Sequence, residues 1–229
     1  MITHEQIKHI VNSSRREREQ PIEKLTVKSF EDALRIWNDP DVLDFYENKA
    51  MKWRPKHDIA VFIPCSAWKP YFYSQSHKDG YLKALLPYIN AIDLFVVSEP
   101  MVIVPYCYSD EYPVKSYDYD PYKFFIGKLA NPLAKQALNI FIERLSRWVN
   151  KYTSQYSKKI LILPKSWHLK IFLKALKKAN IEAKEYNIIS MRGRAFQLVK
   201  TIHQRVEIYM KRRKLHQNTT KHTTLEIFI

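Results

Sequence analysis

The residues that bring the most chemistry together lie in one run, Pro64-Cys65-Ser66-Ala67-Trp68-Lys69-Pro70-Tyr71-Phe72-Tyr73-Ser74-Gln75-Ser76-His77. A thiol attacks only as thiolate, and a nearby ammonium, imidazolium or helix N-terminus favours that form. Cys65 has Lys69 four positions on and His77 twelve on. Ser74, Ser76 and Tyr71 can supply directional hydrogen bonds. Trp68, Tyr71, Phe72 and Tyr73 offer faces on which a planar heterocycle stacks. Singly, each has a plainer explanation: an inert core cysteine, a solvated lysine, a structural histidine. Their crowding into fourteen residues is what marks the segment.

The elements that must position this run can be read from hydrophobic patterning. Ile59-Ala60-Val61-Phe62-Ile63 reads as a buried strand, and in open α/β sheets ligands bind beyond the carboxyl ends of the strands. Three further strand-like runs fall at 92–97, 160–163 and, more weakly, 183–188. Helical spacing lies between them. A first crossover starts near Lys78 and carries Leu82, Leu85 and Leu86; a second spans 132–151 with Leu133, Ala137, Leu138, Phe141, Leu145, Trp148 and Val149 on one face. A third starts at Ser166 as N-cap and turns Ile171, Phe172, Ala175, Leu176 and Ala179 inward. Alternation of this kind predicts an α/β protein with a three-layer αβα build and a mostly parallel sheet.

Ahead of this core, residues 1–55 read as a helical segment. It holds a polar helix over 3–20, a capping pattern of Ser29 with Asp32, and a break at Asn38-Asp39-Pro40. Residues 56–190 form the expected α/β core domain. Residues 191–229 form a basic amphipathic helix and a tail, with a last strand at 223–229.

Composition narrows the function classes. Only Gly80, Gly127 and Gly193 are glycines, too few for a glycine-rich phosphate loop, and neither GxGxxG nor a Walker motif occurs. Two cysteines, Cys65 and Cys107, make no disulfide framework, and no four-ligand Cys/His zinc pattern exists. The expectation is no cofactor and no metal. The polar start, Met1 to Gln6, has no apolar signal region, and no run approaches a membrane span, so a cytoplasmic location without membrane contact is expected. The net charge of +15 favours a polyanionic partner. Residues 191–222 carry nine Lys/Arg against one acid, Glu207. Arg192, Arg194, Lys211, Arg212, Arg213 and Lys214 are the candidate nucleic-acid contacts; the plainer reading is a solvated helix that caps the sheet.

Pro64-Cys65, Lys69-Pro70-Tyr71, Ser74 and His77 together match the pattern PC-x3-KPY-x2-S-x2-H. In this the chain resembles the archaeosine synthases, alpha-subunit type, which modify archaeal tRNA. Val96-Val97-Ser98-Glu99-Pro100, Ile103-Val104-Pro105, Tyr112-Pro113 and Tyr117-Asp118 continue the likeness in order, although Glu99 separates Ser98 from Pro100, and Tyr106-Cys107-Tyr108-Ser109 stands where the family has a charged stretch. The resemblance covers roughly 58–190. It implies a uracil-DNA-glycosylase-like core and addition of lysine to the nitrile of a 7-cyano-7-deazaguanine base in tRNA. On that basis Cys65 is the expected nucleophile, Lys69 the group that lowers its pKa or binds an anion, and His77 or Asp118 the proton shuttle, with Ser74 beside them. Pro64, Ser66, Pro70, Tyr71, Ser98 and Glu111 are the expected substrate contacts. The family's longer members add a transglycosylase-like barrel and an RNA-binding domain, for which 229 residues leave no room. The implied partners are tRNA, a transglycosylase-like or radical-SAM protein, or a second copy of the chain. The alternatives are a non-catalytic nucleic-acid-binding module or partner subunit of a tRNA-guanine transglycosylase-like protein, and an enzyme acting on a base in another nucleic acid.

Overall fold

A computed structural model describes residues 1–14, 18–124, 126–163, 167–189 and 193–222, with side chains described as far as Lys211. Among these residues, five strands form one mixed sheet in the order β3-β2-β1-β4-β5. They are β1 (Ile59–Pro64), β2 (Asp93–Ser98), β3 (Val102–Pro105), β4 (Lys158–Leu161) and β5 (Asn187–Ile188). β1 pairs in parallel with β2 on one side and β4 on the other, β4 pairs in parallel with β5, and only β3 runs antiparallel, against β2. The four expected strands are therefore present; β1, β2 and β4 lie within two residues of their expected ends, whereas β5 is only the last two residues of the expected 183–188, the start of that run forming a 3-10 turn at Ala183–Glu185. β3 was not expected as a strand: four residues ending in proline fall below the length at which periodicity speaks.

Every residue of β1, Ile-Ala-Val-Phe-Ile-Pro, is buried. A strand covered on both faces reads as a continuous apolar run because neither side meets water. On one face Phe62 stacks on Phe95 of β2, with ring centroids 5.3 Å apart, and meets Phe172 at 5.1 Å. Truncating such a ring to alanine costs about 3–5 kcal/mol. Asp93 opens β2 as a buried acid, and it is satisfied there. It accepts from the Lys56 amide and the Tyr156 hydroxyl, each at 2.9 Å, and its other oxygen meets His57 Nδ1 at 2.9 Å.

The helices follow the sequence pattern with shifts at their ends. They are α1 (His4–Asn12), α2 (Phe30–Arg35), α3 (Pro40–Asp44), α4 (Lys83–Leu85), α5 (Pro121–Phe124), α6 (Pro132–Tyr152), α7 (Trp167–Lys178) and α8 (Val199–His222). The polar helix expected over 3–20 is shorter: α1 is started by a Thr3–Gln6 capping box and closed at Ser13. Ser29 caps α2 through the Asp32 amide, and Asp39 caps α3 with Pro40 at its first position. The first crossover begins as a wide π-type helix, Ser76–Leu82, that leads into α4. α6 and α7 pack on each other, as do α4 and α8. Among the described residues of α8, Ile202 and Val206 are fully buried. The expected N-cap Ser166 and the expected strand 223–229 lie outside the described residues.

Candidate active site

Three loops leave the carboxyl ends of β1, β2 and β4, and each brings one reactive side chain to the same point. Cys65 follows β1 directly, its amide bonded to Val97 O at 3.0 Å. Glu99 follows β2. His168 sits in the first turn of α7, beyond β4. Cys65 Sγ is 3.5 Å from His168 Nε2 and 3.5 Å from Glu99 Oε2, and the last two atoms are 3.1 Å apart. Trp167 Nε1 donates to Glu99 Oε1 at 2.7 Å, which fixes the carboxylate plane. The chain leaves β1 towards β2 in one direction and enters β4 from the other, so β1 and β4 bracket the switch point where such sheets bind ligands.

The electrostatics of the trio are set by burial and mutual charge. Burial pushes the Glu99 carboxyl up, but the facing His168 charge and hydrogen bonds outweigh it and hold Glu99 below the usual carboxylate range. Burial disfavours the His168 proton as well, yet the charges of Glu99 and Cys65 hold the imidazole well above its ordinary value. The pair is therefore a buried carboxylate–imidazolium. The turn that carries Glu99 is held against backbone preference, because Val102 at its exit has φ 66°. A β-branched residue rarely enters that region.

The expected site residues divide into those beside the trio and those elsewhere. Lys69 is buried; its ammonium donates to Ser66 O at 2.5 Å and lies 4.2 Å from the Tyr117 ring centroid. Burial pulls its pKa down, opposed by the charges of Cys65 and Asp118. Tyr71 Oη meets Ser98 Oγ at 2.9 Å and Tyr117 Oη at 2.8 Å, closing a buried hydroxyl cluster under the loop. Ser74 Oγ accepts from the His77 amide at 3.2 Å. His77 is fully buried, with Nε2 on Pro64 O at 2.9 Å and Nδ1 on Tyr106 Oη at 3.2 Å. Burial, partly offset by the Pro64 bond, drops its pKa to about 3. Both ring nitrogens are thus engaged, Nε2 by the end of β1 and Nδ1 by the Tyr106 hydroxyl, with none turned to a ligand. Asp118 is half-buried; its backbone bridges Thr26 and its carboxylate lies 4.0 Å from Arg18. Glu111 is engaged elsewhere, by the Met1 amino group at 3.2 Å and Lys49 at 3.1 Å.

A surface cleft of about 440 Å³ opens over Cys65. Pro64, Ser66, Trp68 and Ser74 line one side, and Arg194 and Phe196 the other. Gly80 seats that second wall: a Cβ there would stand 2.7 Å from Ala195 Cβ and 2.9 Å from Phe196 N. Among the described residues, Arg194 is the expected nucleic-acid contact that lines the cleft. Lys211 is exposed and pairs with Glu207 at 2.6 Å, a turn back along α8. Arg192 and the side chains of Arg212, Arg213 and Lys214 lie outside the described residues.

Sequence reasoning missed Glu99 and His168. Glu99 registered only as an interruption between Ser98 and Pro100. His168 follows the third strand-like run by a few residues, and the strand-end rule that singled out Cys65 applies there equally. The trio also changes the metal expectation. A sulfur, a nitrogen and an oxygen donor from Cys65, His168 and Glu99 lie within 4.8 Å of one another, so these residues could hold a divalent cation.

Comparison with known proteins bears on part of this region. A family model described as a domain of unknown function (DUF5591) matches residues 42–121, which include Cys65 and Glu99 but stop short of His168. A 67-residue stretch is 40% identical to the archaeosine synthase subunit alpha of Thermoplasma acidophilum, covering 28% of this chain and 12% of that protein. The chain thus matches a small part of its curated relative. Among solved structures, the crystal structure of AF0587, a protein of unknown function, is similar at a TM-score of 0.41 and 16% identity, over 72% of this chain and 48% of the other. Among the described residues no helix is long and apolar enough to cross a membrane.

Proposed function

We propose that this chain binds tRNA and adds an amine, lysine in the reading that the resemblance implies, to the nitrile of a 7-cyano-7-deazaguanine base. The observation that carries the reading is the convergence of Cys65, His168 and Glu99 beside an open cleft. The 40% identical stretch shared with an archaeosine synthase subunit supports it.

The chemistry balances with the groups at hand. The Cys65 sulfur attacks the nitrile carbon, one π bond of the nitrile breaks, and the thiol proton passes to Glu99. The imidazolium of His168 delivers a proton to the nitrile nitrogen, giving a thioimidate. The incoming amine then attacks the same carbon, His168 takes the proton that the amine gives up, and the sulfur leaves with the proton held by Glu99, giving an amidine and restoring all three groups. His168 takes over the proton role expected of His77, whose ring is committed to the backbone of β1. Lys69 holds the Cys65–Trp68 loop through Ser66 O and places a cation near the reacting sulfur. Trp68 and Phe196 supply faces for the base, and Arg194 a charge for an adjacent phosphate.

We read the sheet and its helices as the three-layer αβα arrangement of the uracil-DNA-glycosylase type. Residues 56–190 form the catalytic core, and the 191–229 segment presents RNA. A transglycosylase-like or radical-SAM partner, or a second copy of the chain, fits the scheme as a supplier or consumer of the modified base.

The deciding experiment incubates the protein with nitrile-bearing tRNA and isotope-labelled lysine, then analyses digested nucleosides by mass spectrometry. Label on the deazaguanine is expected. Tight tRNA binding with no transfer would overturn the enzymatic reading in favour of a binding module.

A further inference from the structure

We infer that Cys65, Glu99 and His168 form a zinc site in the resting protein, and that Zn²⁺ at this site occupies the sulfur the nitrile needs. The argument is geometric. With zinc bonds of about 2.3 Å to sulfur, 2.0–2.1 Å to imidazole and 2.0–2.2 Å to carboxylate, the edges of a tetrahedron are about 3.3–3.6 Å long. The three donor atoms stand 3.5, 3.5 and 3.1 Å apart. They come from the ends of β1 and β2 and from the first turn of α7, so three separate elements and not one loop bring them together.

The donor set selects the ion. One thiolate, one imidazole and one carboxylate suit zinc, whereas magnesium and calcium call for oxygen ligands. Three protein ligands leave a fourth position of the tetrahedron open, and Cys65 among them lines the cleft. Glu99 is already oriented by the Trp167 hydrogen bond, the kind of support that metal-ligating carboxylates receive. On coordination the thiol proton and the Nε2 proton leave to solvent, and Sγ and Nε2 turn their lone pairs to the ion. Zinc and nitrile then compete for one sulfur, so free zinc acts as a reversible inhibitor of the activity proposed above.

The test needs no substrate. Metal-free full-length protein is titrated with Zn²⁺ by calorimetry, and with Co²⁺ while the thiolate-to-cobalt charge-transfer band is followed. One equivalent is expected, together with that band. Cys65→Ser should abolish the band, and Glu99→Gln should weaken zinc binding by more than the roughly 10–100-fold that loss of a supporting hydrogen bond costs. Trp167→Phe should fall within that 10–100-fold range. Cys107→Ser should leave both signals intact. Zinc binding retained in full by Cys65→Ser, an adventitious ion only, or no binding at all would overturn the proposal. Circular dichroism of each variant separates ligand loss from unfolding. Stoichiometric zinc binding by a protein that transfers no lysine even when stripped of metal would leave the site standing and remove the catalytic reading. Transfer that is indifferent to zinc would do the reverse.

Discussion

Cys65 Sγ and His168 Nε2 lie 3.5 Å apart although 103 positions separate them in the chain. The contact exists because β1 and β4 are neighbours in the sheet while two other strands and α6 intervene in sequence. Glu99, buried behind both, completes a charge arrangement that no single segment contains.

Glu99 should control the charge state of its neighbour. In Glu99→Gln the buried His168 keeps its desolvation cost and loses its carboxylate partner, so its titration should move down from its present raised position. Imidazole resonances followed against pH would show this directly. A His168 titration unchanged by the substitution would mean that the pair is not the buried ion pair described here. The same variant should lose turnover on nitrile-bearing tRNA by about 10²–10⁴-fold, the range for loss of acid–base assistance.

Gly80 tests whether the far wall of the cleft matters. A methyl group there meets Ala195 Cβ at 2.7 Å and backbone at 2.9 Å, so the 195–197 turn must shift. Gly80→Ala should destabilise the protein by about 1–3 kcal/mol, the usual cost of overpacking. It should also weaken RNA binding through Arg194 and Phe196 while leaving the Cys65–His168 distance intact. Thermal melts and a filter-binding titration measure the two effects. Wild-type RNA affinity in a destabilised variant would show that this wall is structural only.

Salt dependence separates a phosphate contact from a bystander charge. If Arg194 holds one phosphate of a single-stranded stretch, Arg194→Ala should reduce the slope of log K against log salt by about 0.7. Neutralising Lys211, Arg212, Arg213 and Lys214 together should reduce it by up to about four times that amount. An unchanged slope in the four-fold variant would remove the C-terminal segment from the RNA surface.

The legible part of this protein was whatever repeats along the chain. β1 is legible as an unbroken apolar run because both faces are covered, β2 as the apolar Leu94–Val97 behind one buried acid, and α6 and α7 through their apolar stripes. The Cys65 loop stood out because its residues are local. Glu99 and His168 did not, because their meaning depends on which strands become neighbours, and adjacency in a sheet leaves no periodic trace. His77 shows the converse. It lies close to Cys65 in sequence, yet the wide helix at Ser76–Leu82 turns its ring under the strand end, onto Pro64 O. β3 escaped notice because its four residues are too few to show alternation.

That position of His77 gives the protein a specific acid sensitivity. The imidazole is wholly buried with a pKa of about 3, against an ordinary 6.5. An unfolded chain therefore takes up the His77 proton first as pH falls, while the folded chain refuses it. Stability is unaffected above about pH 6.5, falls by about 1.4 kcal/mol per unit from there towards pH 3, and levels off below, where both states are protonated. His77→Gln removes the titration and should abolish this component of the slope. At pH 8 the variant should already be less stable by about 1–3 kcal/mol, because Tyr106 and Pro64 lose a buried partner. Urea unfolding of both proteins between pH 4 and pH 8 (a range chosen to bracket most of the window) measures the difference directly. Parallel stability curves for the parent and His77→Gln would show that His77 is not the buried neutral ring found in the structure.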